Sequence, residues 1–242
     1  MARLAHVPVV VASRDVGALD CPRHTALVRV THWITTVSFV ALLVSGVAIL
    51  IAQPGLYWGE TGFYGDPSLI NLHLTQNEHH SGWGRSLHFL AAWVCVLTGL
   101  LYAVSGLLTR HFRDNLAPDK AELAWRPIRR VLWNHLRLKR PGEDESRRYN
   151  VVQRLSYLAV VFVLFPLMIQ TGVAMSPAVV SVLPALVSVW GGHQSARTIH
   201  FFVMNLLILF LIVHIAMVGL AGFRTRTRAM ITGRNTAGKE HL

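Results

Sequence analysis

Four stretches of the chain exclude acidic residues for about the thickness of a bilayer. Residues 28–51, 86–108, 151–174 and 199–222 are apolar and contain no Asp or Glu. A helix needs about 20 such residues to cross the hydrocarbon core, so each stretch predicts a membrane span. The third carries Pro166, which predicts a kink, since proline is tolerated in membrane helices. A further apolar stretch, 178–190, is short and holds Pro184; it reads as a re-entrant or interfacial piece. The polar stretch 109–150 is the one sizeable aqueous segment. Within it Trp125, Ile128, Leu132 and Leu136 share a helical face, with Arg126, Arg129, Arg130 and Arg137 largely off it. That pattern suits a helix on an anionic leaflet; because Pro127 interrupts it, a solvated basic loop is the alternative. The fold class expected is an all-α integral membrane protein, a four-transmembrane-helix bundle forming a single domain over 1–242. No internal repeat is evident.

Composition agrees and charge orients the bundle. Of 242 residues 52% are hydrophobic and 14% charged, yet the net charge is +11; the mean hydropathy is +0.42. The basic residues lie between apolar runs rather than on a soluble face, which argues against nucleic acid and for a lipid membrane as the partner surface. Lys and Arg divide 21 to 2 between the two sides, with only Arg85 and Arg197 on the poorer one. The positive-inside rule places both termini and the loop 109–150 in the cytoplasm. Residues 7–12 are too short a run for a signal-peptide core.

Histidines stand at the ends of these spans. His200 and His214 are fourteen residues apart. That is about 21 Å of rise and within roughly 40° of the same face. With the spans alternating in direction, His32 and His214 fall at the cytoplasmic level and His88 and His200 at the periplasmic level. Each pair joins two helices at one depth, as the axial ligands of two b-type haems stacked across the bilayer would. An ionisable residue inside a span is a functional candidate by default. Gly46 and Gly106 lie close to whole helical turns from His32 and His88 and would leave room for a haem, or for helix packing. Cys21 and Cys95 form no C-x-x-C-H, so covalent haem is not expected. The other histidines, among them His73, His111 and His193, read as background.

Arg29, Arg85 and Arg197 each precede a candidate ligand by three residues, on the same helical face. Arginine binds carboxylates with two parallel hydrogen bonds. The expectation is that Arg85 and Arg197 hold the propionates of the outer haem and Arg29 those of the inner one, against ordinary snorkelling to headgroups.

The motifs RVTHW, GRSLHF, YNVVQRLSY and the His-x13-His of the fourth span together resemble the bacterial cytochrome b561 superfamily. The nearest likeness is to the diheme cytochrome b subunits of Ni/Fe hydrogenase, formate dehydrogenase and thiosulfate reductase, over about residues 23 to 235. GGHQSARTIHF and AGF…MITGR are similar to members associated with sulfite-oxidase-like molybdenum proteins. The resemblance implies a four- or five-helix bundle, two haem b groups on His32, His88, His200 and His214, and electron exchange with a quinone. In formate dehydrogenase subunits a Tyr-Asn-x-x-Gln stretch lies by the inner haem; here Tyr149, Asn150 and Gln153 match it. Asn150 and Gln153 can donate to a quinone carbonyl, with helix capping by Asn150 as the alternative. The expected function is electron transfer in the bacterial inner membrane between a periplasmic partner (hydrogenase, molybdenum oxidoreductase or cytochrome c type) and the quinone pool. A stand-alone superoxide:quinone oxidoreductase and a haem-free transporter or scaffold are the alternatives.

Overall fold

The computed structural model of the chain describes residues 25–62, 66–74, 82–118, 122–125, 129, 133 and 151–233. Four helices long and apolar enough to cross a membrane dominate it: α1 (Ala26–Ala52), α2 (Gly82–Leu108), α3 (Val151–Ala174) and α6 (His193–Leu220). Between α3 and α6 lie two short helices, α4 (Pro177–Val180) and α5 (Ala185–Val189), where the short apolar stretch was read as something other than a span. After α6 comes α7 (Phe223–Thr232). The amphipathic loop pattern around Trp125 falls mostly outside the described residues.

Helix faces are sorted as lipid requires. Val37, Val40, Val44 and Val47 of α1 and Leu90, Trp93, Leu97 and Leu100 of α2 are exposed, while Thr31, Ser38 and Ser45 are buried. In lipid, large apolar side chains gain nothing by hiding, and small residues let backbones approach. Gly84 shows this: a Cβ there would stand 3.3 Å from the Ala48 Cβ and 3.6 Å from the Ser45 carbonyl oxygen. Two of the buried hydroxyls bond within their own helix: Thr31 Oγ1 donates to the Leu27 carbonyl at 2.8 Å and Ser45 Oγ to the Ala41 carbonyl at 2.7 Å.

Proline in α3 acts through a π-helical turn. Residues Val160–Leu164 form that turn, and the Phe165 N–H bonds to the Val160 carbonyl. Pro166 follows directly. It has no N–H to give to Phe162, and its ring crowds that carbonyl. One extra residue in the turn relieves both, so the helix runs on past Pro166 to Ala174.

Each end of the bundle is closed by chain from a neighbouring segment. At the His88 end, a two-stranded antiparallel ribbon, β1 (Gly55–Leu56) with β2 (Ile70–Asn71), follows α1. The loop after β1 is strapped to the start of α6: the Gln194 N–H donates to the Gly59 carbonyl at 2.9 Å. The Gly59 N–H donates to Ser195 Oγ at 2.8 Å. Thr198 Oγ1 donates to the Tyr57 carbonyl at 2.6 Å. Gly192 makes this approach possible. Its φ is +117°, and a Cβ there would fall 2.3 Å from the Gly59 backbone. These bonds explain why α6 starts at His193, six residues before the predicted 199: its polar first turns are buried against the loop instead of being left in water. At the His32 end α7 folds back. Trp33 Nε1 donates to the Met230 carbonyl at 3.3 Å, and Ala229 is buried.

Candidate functional site

The sequence-predicted histidines meet in two pairs at two depths. His32 of α1 and His214 of α6 have ring centres 6.4 Å apart with planes at 49°. His88 of α2 and His200 of α6 have centres 6.3 Å apart with planes at 60°. An imidazole nitrogen lies about 2 Å from a first-row metal it ligates, and the ring centre about 1 Å further back, so two imidazoles on opposite sides of one metal have centres about 6 Å apart. Both pairs have that spacing. Among the described residues no group of three or more His, Cys, Asp or Glu converges. Two imidazoles alone suit a metal whose other ligands come from a macrocycle.

The rings of the second pair are anchored from behind. Ser45 Oγ lies 3.0 Å from His88 Nδ1, and Thr171 Oγ1 lies 2.9 Å from His200 Nδ1. Both hydroxyl residues are fully buried. The glycine after each lies against the same ring. A Cβ on Gly46 would come to 3.5 Å from His88 Cε1, and one on Gly172 to 3.4 Å from His200 Cε1. Metal-bound histidines are usually oriented by such a bond at the second nitrogen. Around the first pair, aromatic rings do the packing: Phe210 stacks on His214 at 5.8 Å, Tyr157 meets it edge-on at 6.2 Å, and Trp33 meets His32 at 5.3 Å. His32 Nδ1 is buried without a hydrogen-bond partner among the described residues.

Gly46, expected to leave room for a haem, lies against the ring of His88 on the neighbouring helix. Gly106 does something else. A Cβ on it would fall 2.5 Å from Phe112 Cε2, so it admits Phe112, whose ring packs on Tyr102 and Phe162. Ser45, Thr171 and Gly172 escaped sequence reasoning. Their signal was a repeated tetrapeptide, Ser45-Gly46-Val47-Ala48 and Thr171-Gly172-Val173-Ala174.

The arginines depart from the carboxylate-clamp expectation. Arg197 donates from Nη1 to the Gly55 carbonyl at 2.7 Å and from Nη2 to the Gln53 carbonyl. Arg29 donates from Nη1 to the Ile231 carbonyl at 2.8 Å. Both Nη atoms of Arg197 brace the loop after α1, whereas Arg29 gives Nη1 to α7 and keeps its Nε buried without a partner among the described residues. Arg85 is exposed. Tyr149 and Asn150 lie outside the described residues; Gln153 is half-buried in the first turn of α3. Next to it Arg154 pairs with Glu122 at 2.5 Å and donates to the Ala117 carbonyl at 3.3 Å.

A family model described as prokaryotic cytochrome b561 matches residues 23–233. A curated relative from Azospira oryzae, named as a putative protein-methionine-sulfoxide reductase subunit YedZ1, is 32% identical over 200 residues. The match covers 81% of this chain and 90% of that protein. No solved structure matches the chain.

Proposed function

The chain belongs to the prokaryotic cytochrome b561 family of membrane electron-transfer proteins, and from that premise we propose that it is a diheme b-type cytochrome linking a periplasmic oxidoreductase subunit to the quinone pool. The observation that carries the reading is the spacing of two imidazole pairs, 6.4 and 6.3 Å between ring centres, at two depths of one bundle. His32 and His214 hold the inner haem on the cytoplasmic side; His88 and His200 hold the outer one. Each haem, when bound, supplies a one-electron iron couple. The chain's own work is to hold the rings, exclude water and set the charge around them.

Arg29 and Arg197 contribute positive charge through side chains braced on backbone, and exposed Arg85 remains able to meet an outer propionate. Tyr149 and Asn150, which precede α3 in sequence, and Gln153 in its first turn form the quinone contact, with Gln153 in the same helix as Tyr157, whose ring meets His214. The relative's name supports a partner that reduces oxidised methionine in proteins; electrons then run from quinol to the outer haem and on to that partner. Both termini and the loop 109–150 face the cytoplasm in this arrangement, within the bacterial inner membrane.

The test is haem reoxidation. Chemically reduced protein mixed with a soluble quinone analogue should reoxidise rapidly. The double variant Asn150→Ala/Gln153→Ala should reoxidise at least tenfold more slowly with unchanged haem content. Equal rates in the two proteins would remove the quinone role from these residues.

A further inference from the structure

The anchoring of the outer pair is one half of a larger repetition. Arg29-Val30-Thr31-His32 of α1 aligns with Arg154-Leu155-Ser156-Tyr157 of α3. Ser45-Gly46-Val47-Ala48 aligns with Thr171-Gly172-Val173-Ala174. Gly84-Arg85-Ser86-Leu87-His88-Phe89 of α2 aligns with Ala196-Arg197-Thr198-Ile199-His200-Phe201 of α6. From His32 to Ser45 is 13 positions and from Tyr157 to Thr171 is 14. The extra residue is accounted for by the π-helical turn Val160–Leu164. The hairpin α1–α2 is thus repeated as α3–α6, which corrects the expectation of no internal repeat. His88 and His200 occupy equivalent positions in the two halves. The inner pair does not: the counterparts of His32 and His214 are Tyr157 and Tyr102.

The repetition extends to atoms. Ser45 Oγ lies 2.7 Å from the Ala41 carbonyl and 3.2 Å from that of Leu42. Thr171 Oγ1 lies 2.7 Å from the Leu167 carbonyl and 3.2 Å from that of Met168. A hydroxyl has one proton, and here it goes to the nearer carbonyl. Toward the histidine each oxygen then faces as an acceptor, and the Leu42 and Met168 carbonyls lie against the same rings; both features favour the N–H on His88 Nδ1 and His200 Nδ1. A neutral imidazole protonated at Nδ1 offers the Nε2 lone pair as ligand. Full burial of both hydroxyls keeps water from competing. At the inner pair, His32 Nδ1 has no hydrogen-bond partner among the described residues.

We infer that Ser45 and Thr171 are paired positioning residues for the outer haem, fixing the tautomer and ring rotation of both axial histidines and lowering that haem's midpoint potential. The inference rests on the diheme reading above. Its physical basis is that accepting the Nδ1 proton makes the ring a more basic ligand, and a more basic ligand favours the oxidised iron.

The test is a potentiometric titration of the full chain in lipid nanodiscs for Ser45→Ala, Thr171→Val and the double variant. The couple missing from His200→Ala identifies the outer haem. Each single variant should raise the outer midpoint, shifting its oxidised-to-reduced equilibrium about threefold, or about 28 mV at 59 mV per tenfold change. The double variant should shift it by about the sum, with the inner midpoint unmoved. Ser45→Thr and Thr171→Ser keep the hydroxyl and should stay at the wild-type potential. Loss of the outer haem in the alanine and valine variants, with retention in the hydroxyl-keeping ones, supports the same role. Full haem occupancy with an unmoved outer potential, or the same shift in the hydroxyl-keeping variants, overturns it. A wild-type chain that binds no haem overturns the diheme reading instead.

Discussion

At the residue scale, helix geometry made the histidines legible and left their supports hidden. A fixed rise per residue converts sequence separation into depth, so four histidines on three spans sort themselves into two levels without any coordinates. A serine or threonine in a span carries no such information. It commonly bonds its own i−4 carbonyl, and Ser45 and Thr171 do that as well as meeting a histidine. Only the repeated tetrapeptide distinguishes them from the other hydroxyls. The glycine beside each hydroxyl gives a graded expectation. Alanine at Gly46 would place its Cβ 3.5 Å from His88, an ordinary contact, so Gly46→Ala should keep the outer haem. Gly46→Leu must push the ring aside, and its outer-haem absorbance should fall by more than half while the inner haem stays. Equal haem content in the two variants would mean that His88 is not held against that glycine.

At the element scale, local spacing predicted helices well and their ends poorly. The apolar run located α6, but its first six residues were assigned to a loop because Gln194, Ser195 and Thr198 are polar. Their partners, Gly59 and Tyr57, lie more than 130 residues away in sequence. The same distance hid the role of Arg197: three residues before His200 it shares the ligand's face, yet its fork is taken by carbonyls of the loop after α1. Gly106 misled for a similar reason, since Phe112 returns to fill the space it leaves. The strap itself is testable. Gly192 has φ +117° and touches the Gly59 backbone, so Gly192→Ala should cost about 1–3 kcal/mol of local strain. Thermal melting in detergent should fall by several degrees, and the outer haem should be lost before the inner one. Arg197→Gln removes a positive charge near the outer pair, which favours the oxidised iron, and should lower the outer midpoint potential while sparing the inner. An unchanged melting temperature in Gly192→Ala would show that the strap does not hold the start of α6.

At the scale of the whole molecule, two hairpins of the same pattern build one bundle with one symmetric and one asymmetric histidine pair. The repeated pattern places Ser45 and Thr171 alike behind His88 and His200. At the inner end the pattern differs: Tyr157 stands at the position of His32, and its ring meets His214. Strap and α7 close the two ends with chain from outside the spans, the strap held by backbone and hydroxyl hydrogen bonds and α7 by the Arg29 and Trp33 side chains donating to its carbonyls. The most direct measurement is the haem content per chain of the purified protein, by haemochrome absorbance, for the wild type, His200→Ala and His214→Ala. Two paired sites predict two haems in the wild type and one in each variant, with different midpoint potentials for the haem that remains. One haem or none in the wild type, or two retained in both variants, would contradict the assignment of these pairs as axial ligands.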